Sequence, residues 1–210
     1  MNLQDLFQRA AIWRAGELPP ALTRPSSFPL LDKALPGGGW PQSGLTEILF
    51  STSGIGALRL ILPALANLSH QGGWIIWVCP PHIPYAPALE TFGVDLSRIL
   101  IIELPEQDCA EREQSLWAFE QALRFQDCSA ALIWLEDASM LSLRRLQLAA
   151  EAGSTWGIVF RPTSYAVQPS PAALRLKLSP SRLDAGTEAL DVTLLKARGM
   201  RSGQSYRLAV

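Results

Sequence analysis

The sequence predicts an α/β fold: a mostly parallel sheet flanked by helices, with an N-terminal helical arm and a C-terminal antiparallel strand extension. Three observations predict it. Five short apolar runs between residues 45 and 161 alternate with helical patterns, many of about 10–15 residues, the signature of a parallel sheet covered on both faces. After Arg161 the helical patterns stop and period-two alternation begins, as in strands with one wet face. Ahead of residue 27, one amphipathic stretch leads into a proline-rich connection.

Taken in order, Leu3, Leu6, Phe7, Ala10 and Trp13 recur at helical spacing and define the arm. Pro19, Pro20, Pro25 and Pro29 make the following stretch an extended linker, and Pro36 to Pro41 is a turn cluster. Leu45 to Phe50 reads as a strand, Ile55 to Ser69 as a helix and Trp74 to Cys79 as a buried strand. A short helix around Tyr85 to Phe92 precedes a strand at Ile99 to Leu104 and a helix at Glu111 to Phe125. Ala130 to Leu135, Leu141 to Ala152 and Trp156 to Arg161 continue as strand, helix and strand. The alternating runs Ala173 to Leu178, Leu190 to Lys196 and Ser205 to Val210 form the extension. The expected organisation is an arm and linker over 1–26, an α/β core over 27–165, and an antiparallel extension with a basic hairpin over 166–210.

Hydrophobic residues at 48% and charged residues at 18% are enough for a core and exclude a wholly disordered chain. The net charge of −1 hides a polarity: residues 86–140 carry 11 acids and 3 bases, while residues 172–210 carry 7 bases and 3 acids. A neutral chain is a poor polyelectrolyte partner for DNA, so nucleic-acid contact is expected to be weak or indirect. Cys79, Cys109 and Cys128 have no metal-ligand spacing, and only His70 and His82 are available to join them. With no signal-peptide pattern and no apolar run long enough for a bilayer, a cytoplasmic protein without a membrane partner is expected.

In a doubly wound sheet the first strand-to-helix turn is the natural phosphate site, because helix amides and dipole face the ligand there. Here it reads Phe50-Ser51-Thr52-Ser53-Gly54-Ile55-Gly56-Ala57-Leu58-Arg59. A working loop needs Lys for the phosphates and Ser or Thr for magnesium directly after its last glycine. After Gly54 stand Ile55 and Gly56; after Gly56 stand Ala57 and Leu58; and Arg59 is out of register. The loop therefore reads as a degenerate phosphate loop, a tight glycine turn without a ligand. Glu136 and Asp137 follow an apolar strand where a metal-binding acid would stand, but without the Lys they read as solvated strand-end caps. His82 reads as a loop residue, and no local nucleophile signature is present. No enzyme, cofactor or metal is expected.

Several segments carry a family resemblance. Ser27 to Pro41 followed by Gly44-Leu45-Thr46-Glu47-Ile48, and Gly93 to Leu100, resemble the entry to the RecA core. The chain more closely resembles the ImuA family of RecA-like, SulA-like accessory proteins. The segments that carry this likeness are Ile12-Trp13-Arg14, Leu35 to Trp40, Gly54-Ile55-Gly56 with Leu58-Arg59-Leu60, and Pro80 to His82 with Pro84 to Ala88. Leu143 to Glu151, Phe160-Arg161-Pro162 and Ser170 to Leu176 extend it over nearly the whole chain. The resemblance implies a non-catalytic RecA-like core acting in SOS-induced translesion DNA synthesis. It also implies contact with an ImuB-type polymerase homologue, contact with RecA, and an indirect link to an error-prone polymerase. The SulA relatives imply an alternative, a division inhibitor that binds FtsZ; the arm and the Pro36 to Trp40 entry favour the first reading.

Without catalysis, function falls to surfaces. In RecA-like filaments the N-terminal helix packs on a neighbouring protomer. Leu6, Phe7, Trp13 and Arg14 are therefore candidates for self-association or partner binding, or for packing on their own core. Arg144 and Arg145 sit side by side on one helix and cannot share a face, so one is expected to face solvent and the other a partner or the sheet. Lys196, Arg198 and Arg201 crown a strand-turn-strand pattern, either as a solubilising tip or as a contact for phosphate or protein.

Overall fold

The computed structural model describes residues 22–51, 54, 56–104, 112–183, 188–197 and 203–209. Within them lies an eight-stranded mixed sheet in the order β10-β9-β8-β3-β7-β6-β4-β5. Its members are β3 (Gly44–Phe50), β4 (Trp74–Val78), β5 (Ile99–Ile102), β6 (Cys128–Trp134), β7 (Trp156–Pro162), β8 (Leu174–Arg182), β9 (Glu188–Ala197) and β10 (Ser205–Ala209). The strands from β8 to β5 pair in parallel, whereas β8–β9 and β9–β10 are antiparallel. A separate two-residue ladder joins β1 (Thr23–Arg24) to β2 (Trp40–Pro41).

The central strands are largely apolar because helices cover both faces. On one face lie α1 (Pro29–Ala34), α2 (Leu62–His70) and α3 (Ala86–Thr91). Their Leu31, Leu65 and Leu89 pack in one cluster with Ile48, Trp77, Ile158 and Phe160. On the other face lie α4 (Arg112–Arg124) and α5 (Met140–Ala152). Their Phe119, Leu123, Leu143 and Leu146 meet Leu45, Ile76, Ile133 and Val159. The alternation of neighbours such as Ile75 and Ile76 between the two clusters is the pleat itself. A side chain at Gly153, just past α5, would strike the Leu123 carbonyl of α4, so glycine there lets the two helices close together.

The expectation of a RecA-like core with a helical arm and an appended antiparallel extension is corrected. The fold is one mixed sheet with few helices. Only five α-helices, of 6 to 13 residues, occur among the described residues. The strands that alternation assigned to an extension are built into the same sheet. β8 runs parallel to β3, pairing Thr46 with Leu174 and Glu47 with Arg175. Leu176, Leu178, Val192, Leu194 and Leu208 then join the first core cluster. The physical reason is that these strands bury one face against the same core and leave the other unhelixed, which produces their alternation. The helix expected from Ile55 begins only at Leu62: residues 57–60 form turns, and Pro63 stands in the first helical turn. The arm residues lie outside the described residues.

Candidate interaction surfaces

The loop after β3 carries Gly54 and Gly56 at positive φ, 81° and 85°, a conformation open to glycine without strain. Thr52, Ser53 and Ile55 lie outside the described residues. The helix that should aim its first amides at a phosphate starts well downstream. Its opening amides are engaged internally: Ile61 and Leu62 N–H both donate to the Leu58 carbonyl, and Leu65 N–H donates to that of Ile61. Arg59 reaches sideways to Glu188 of β9 at 3.4 Å, between two exposed side chains. Glu136 is exposed and Asp137 half-buried, in the turn after β6. Among the described residues, no group of three or more His, Cys, Asp or Glu is placed to hold a metal ion.

Of the paired arginines, Arg145 forms a 2.8 Å ion pair with Glu120 of α4, and Glu120 also meets Arg124 at 3.1 Å. Arg144 is exposed on α5. Lys196 does not stand off a hairpin tip: its Nζ donates to the Ser170 carbonyl at 2.7 Å. Burial, then the nearby Arg175 charge, pulls the Lys196 pKa down, with Glu47 opposing. Arg198 and Arg201 lie outside the described residues, as do Leu6, Phe7, Trp13 and Arg14. The structure therefore brings Arg145 to α4 and Lys196 to the sheet, and does not bring these two together.

Periodicity missed a buried charge network. Glu47, in the middle of β3, is fully buried. Its carboxylate accepts from Arg175 Nε at 2.6 Å, Arg161 Nη1 at 3.2 Å and Ser170 Oγ at 2.9 Å. Arg175 also donates to the Gln168 and Tyr165 carbonyls at 2.8 and 2.9 Å. The Arg161 guanidinium lies 4.2 Å from the Tyr165 ring centre. The available signal was charge inside three largely apolar strands: Glu47 in GLTEILF, Arg161 in WGIVFRP, and Arg175 with Lys177 in LRLKL. At the other end of the sheet, Arg24 stacks 5.5 Å from the Trp156 ring, and Trp156 packs on Trp40 at 5.4 Å. Burial pulls the Arg24 pKa down to about 10. That leaves it charged at neutral pH.

Two of these strands frame a match to a known family. The model of the family described as "Cell division inhibitor SulA" matches residues 44–157, from the first residue of β3 into β7. The chain belongs to the SulA family. It is 32% identical to the cell division inhibitor SulA of Edwardsiella piscicida over 123 residues, 58% of this chain and 70% of that protein. It is 30% identical to protein ImuA of Caulobacter vibrioides over 156 residues, 72% of this chain. That match spans 62% of ImuA's length. The crystal structure of SulA from Pseudomonas aeruginosa, 25% identical, covers 56% of this chain and 97% of its own, with a TM-score of 0.45. Within this SulA-family chain, β8 to β10, Arg175 and Lys196 lie beyond the family match, while Glu47 lies inside it. No helix among the described residues is long and apolar enough to cross a membrane.

Proposed function

We propose that this SulA-family chain is a non-catalytic accessory protein of SOS-induced translesion DNA synthesis, acting in the cytoplasm through protein–protein contacts. The observation that carries the reading is the extent of the ImuA likeness: 156 aligned residues, against 123 for the SulA of Edwardsiella piscicida. Its primary partner is an ImuB-type polymerase homologue. RecA is a second partner, an error-prone polymerase is reached indirectly, and DNA is contacted weakly or through those partners. The loop supports a degenerate ATPase site, since neither the phosphate Lys nor the magnesium hydroxyl follows Gly54 or Gly56. A second reading, a division inhibitor that binds FtsZ, is favoured by the description of the matching family model.

Co-purification of the full chain with an ImuB-type homologue, RecA and FtsZ, each offered separately, tests both. Retention of the ImuB-type protein is expected. Retention of FtsZ alone would reverse the order of the two readings.

A further inference from the structure

The outward faces of α4 and α5 form one surface of arginines and exposed apolar side chains. Each helix links two parallel strands, so the two run side by side in the same direction. On α4, Trp117, Glu120 and Arg124 share one stripe; on α5, Leu141, Arg145 and Leu148 share another, with Arg144 exposed beside it. The Glu120–Arg145 ion pair of 2.8 Å bridges the two stripes. Trp117 and Leu141 stand about one turn before that bridge, and Arg124 and Leu148 about one turn after it. Trp117 is 63% exposed, Leu141 78% and Leu148 56%.

Charge selects what this face accepts. Arg124, Arg144 and Arg145 stand there against Glu120 alone, a net charge of +2 on a chain whose total is −1. Glu120 offers no open negative charge, because its two carboxylate oxygens already hold Arg124 at 3.1 Å and Arg145 at 2.8 Å. Arg144 has no ion-pair partner among the described residues. Tryptophan and arginine are also the side chains most enriched at binding anchors. Leu141 and Leu148 lie about 10.5 Å apart along the axis, the repeat at which another helix presents its own apolar stripe. Carboxylates flanking that stripe would meet the arginines.

We propose that the α4–α5 face docks an acidic amphipathic helix of a partner protein. Its apolar stripe seats on Trp117, Leu141 and Leu148, and its carboxylates pair with Arg124 and Arg144. The inference rests on the reading that the chain acts through protein contacts. The test uses the full chain and a fluorescein-labelled helical peptide of about 18 residues, with leucines at a heptad interval and glutamates beside them. Fluorescence anisotropy should show saturable micromolar binding, weakened at least about fivefold between about 50 and 500 mM salt. A peptide with lysine in place of each glutamate should bind at least about tenfold more weakly. Leu141→Ser with Leu148→Ser should cost at least about tenfold, and Arg144→Glu alone at least about fivefold, with the far-ultraviolet circular dichroism unchanged. Arg144→Glu, at an exposed site, serves if the double variant does not fold.

No saturable binding, equal binding of the two peptides, or undiminished binding by a folded variant overturns the proposal. So does a dimer in sedimentation velocity that these substitutions dissociate, which would assign the face to a second copy, or displacement of the peptide by a DNA oligonucleotide. Co-purification with the ImuB-type homologue keeps the two readings apart. Equal retention by the parent and the folded variants would overturn the face and keep the partner, whereas peptide binding without retention would keep the face and overturn the partner.

Discussion

Arg175 Nε lies 2.6 Å from Glu47 Oε2, with the two side chains 6% and 0% exposed. They face each other across the β3–β8 ladder, where Glu47 and Arg175 are register partners. Arg161 arrives from β7 on the other side, so one carboxylate holds two guanidinium groups from both neighbouring strands. Two buried cations against one anion make the carboxylate the element whose loss is least tolerable.

Glu47→Ala should therefore destabilise the fold by about 3–5 kcal/mol, because it strands two charges in the interior. Urea unfolding followed by circular dichroism measures it. A loss under about 1 kcal/mol would mean that water or the Tyr165 and Gln168 carbonyls suffice for the arginines.

Cys128 supplies a pH dependence. Burial pushes its thiol from 9.0 up to about 12, because the thiolate is disfavoured in the core. Below pH 9, folded and unfolded chains both hold the proton and the contribution to stability is fully present. As the pH rises, the unfolded chain releases its proton first, so stability falls between about pH 9 and 12, by up to about 1.4 kcal/mol per pH unit. Cys128→Ala should flatten this decline in denaturant titrations across that window. A parallel decline in the variant and the parent would assign it to other groups.

ATP should bind no more tightly than millimolar, with or without magnesium. The loop lacks the cation that would neutralise the phosphates, and the helix behind it begins too late to present free amides. Isothermal calorimetry on the full chain checks this, and a micromolar constant would restore a nucleotide site.

Lys196→Ala should leave the salt dependence of any DNA binding unchanged, since its Nζ is already committed to the Ser170 carbonyl. A lysine that contacts phosphate would change the logarithmic slope by about 0.9 on duplex DNA. Fluorescence anisotropy across a salt series separates the two outcomes.

Much of the fold was legible in hydrophobic periodicity. The expected strand Leu45 to Phe50 is Gly44–Phe50, and the expected helix Leu141 to Ala152 is Met140–Ala152. A strand or helix bearing one apolar face writes its own period into the chain. The late start of α2 was readable in Pro63, yet Ala57 to Leu62 before it fit a helical pattern as well as a turn.

The residues that follow Gly54 and Gly56 are read directly from the sequence, because they are neighbours along the chain. Partnership across the sheet has no such local record. Alternation in Ala173 to Leu178 says that one face is wet, but not that the strand lies parallel on β3, because register is set by pairing between segments more than a hundred residues apart. The same holds for the charges. Glu47, Arg161 and Arg175 are each an anomaly in an apolar strand, and Lys196 looked like part of an exposed tip. Long-range strand order put the first three within hydrogen-bonding distance and turned Lys196 onto Ser170, since burial and pairing are properties of neighbours in space rather than in sequence.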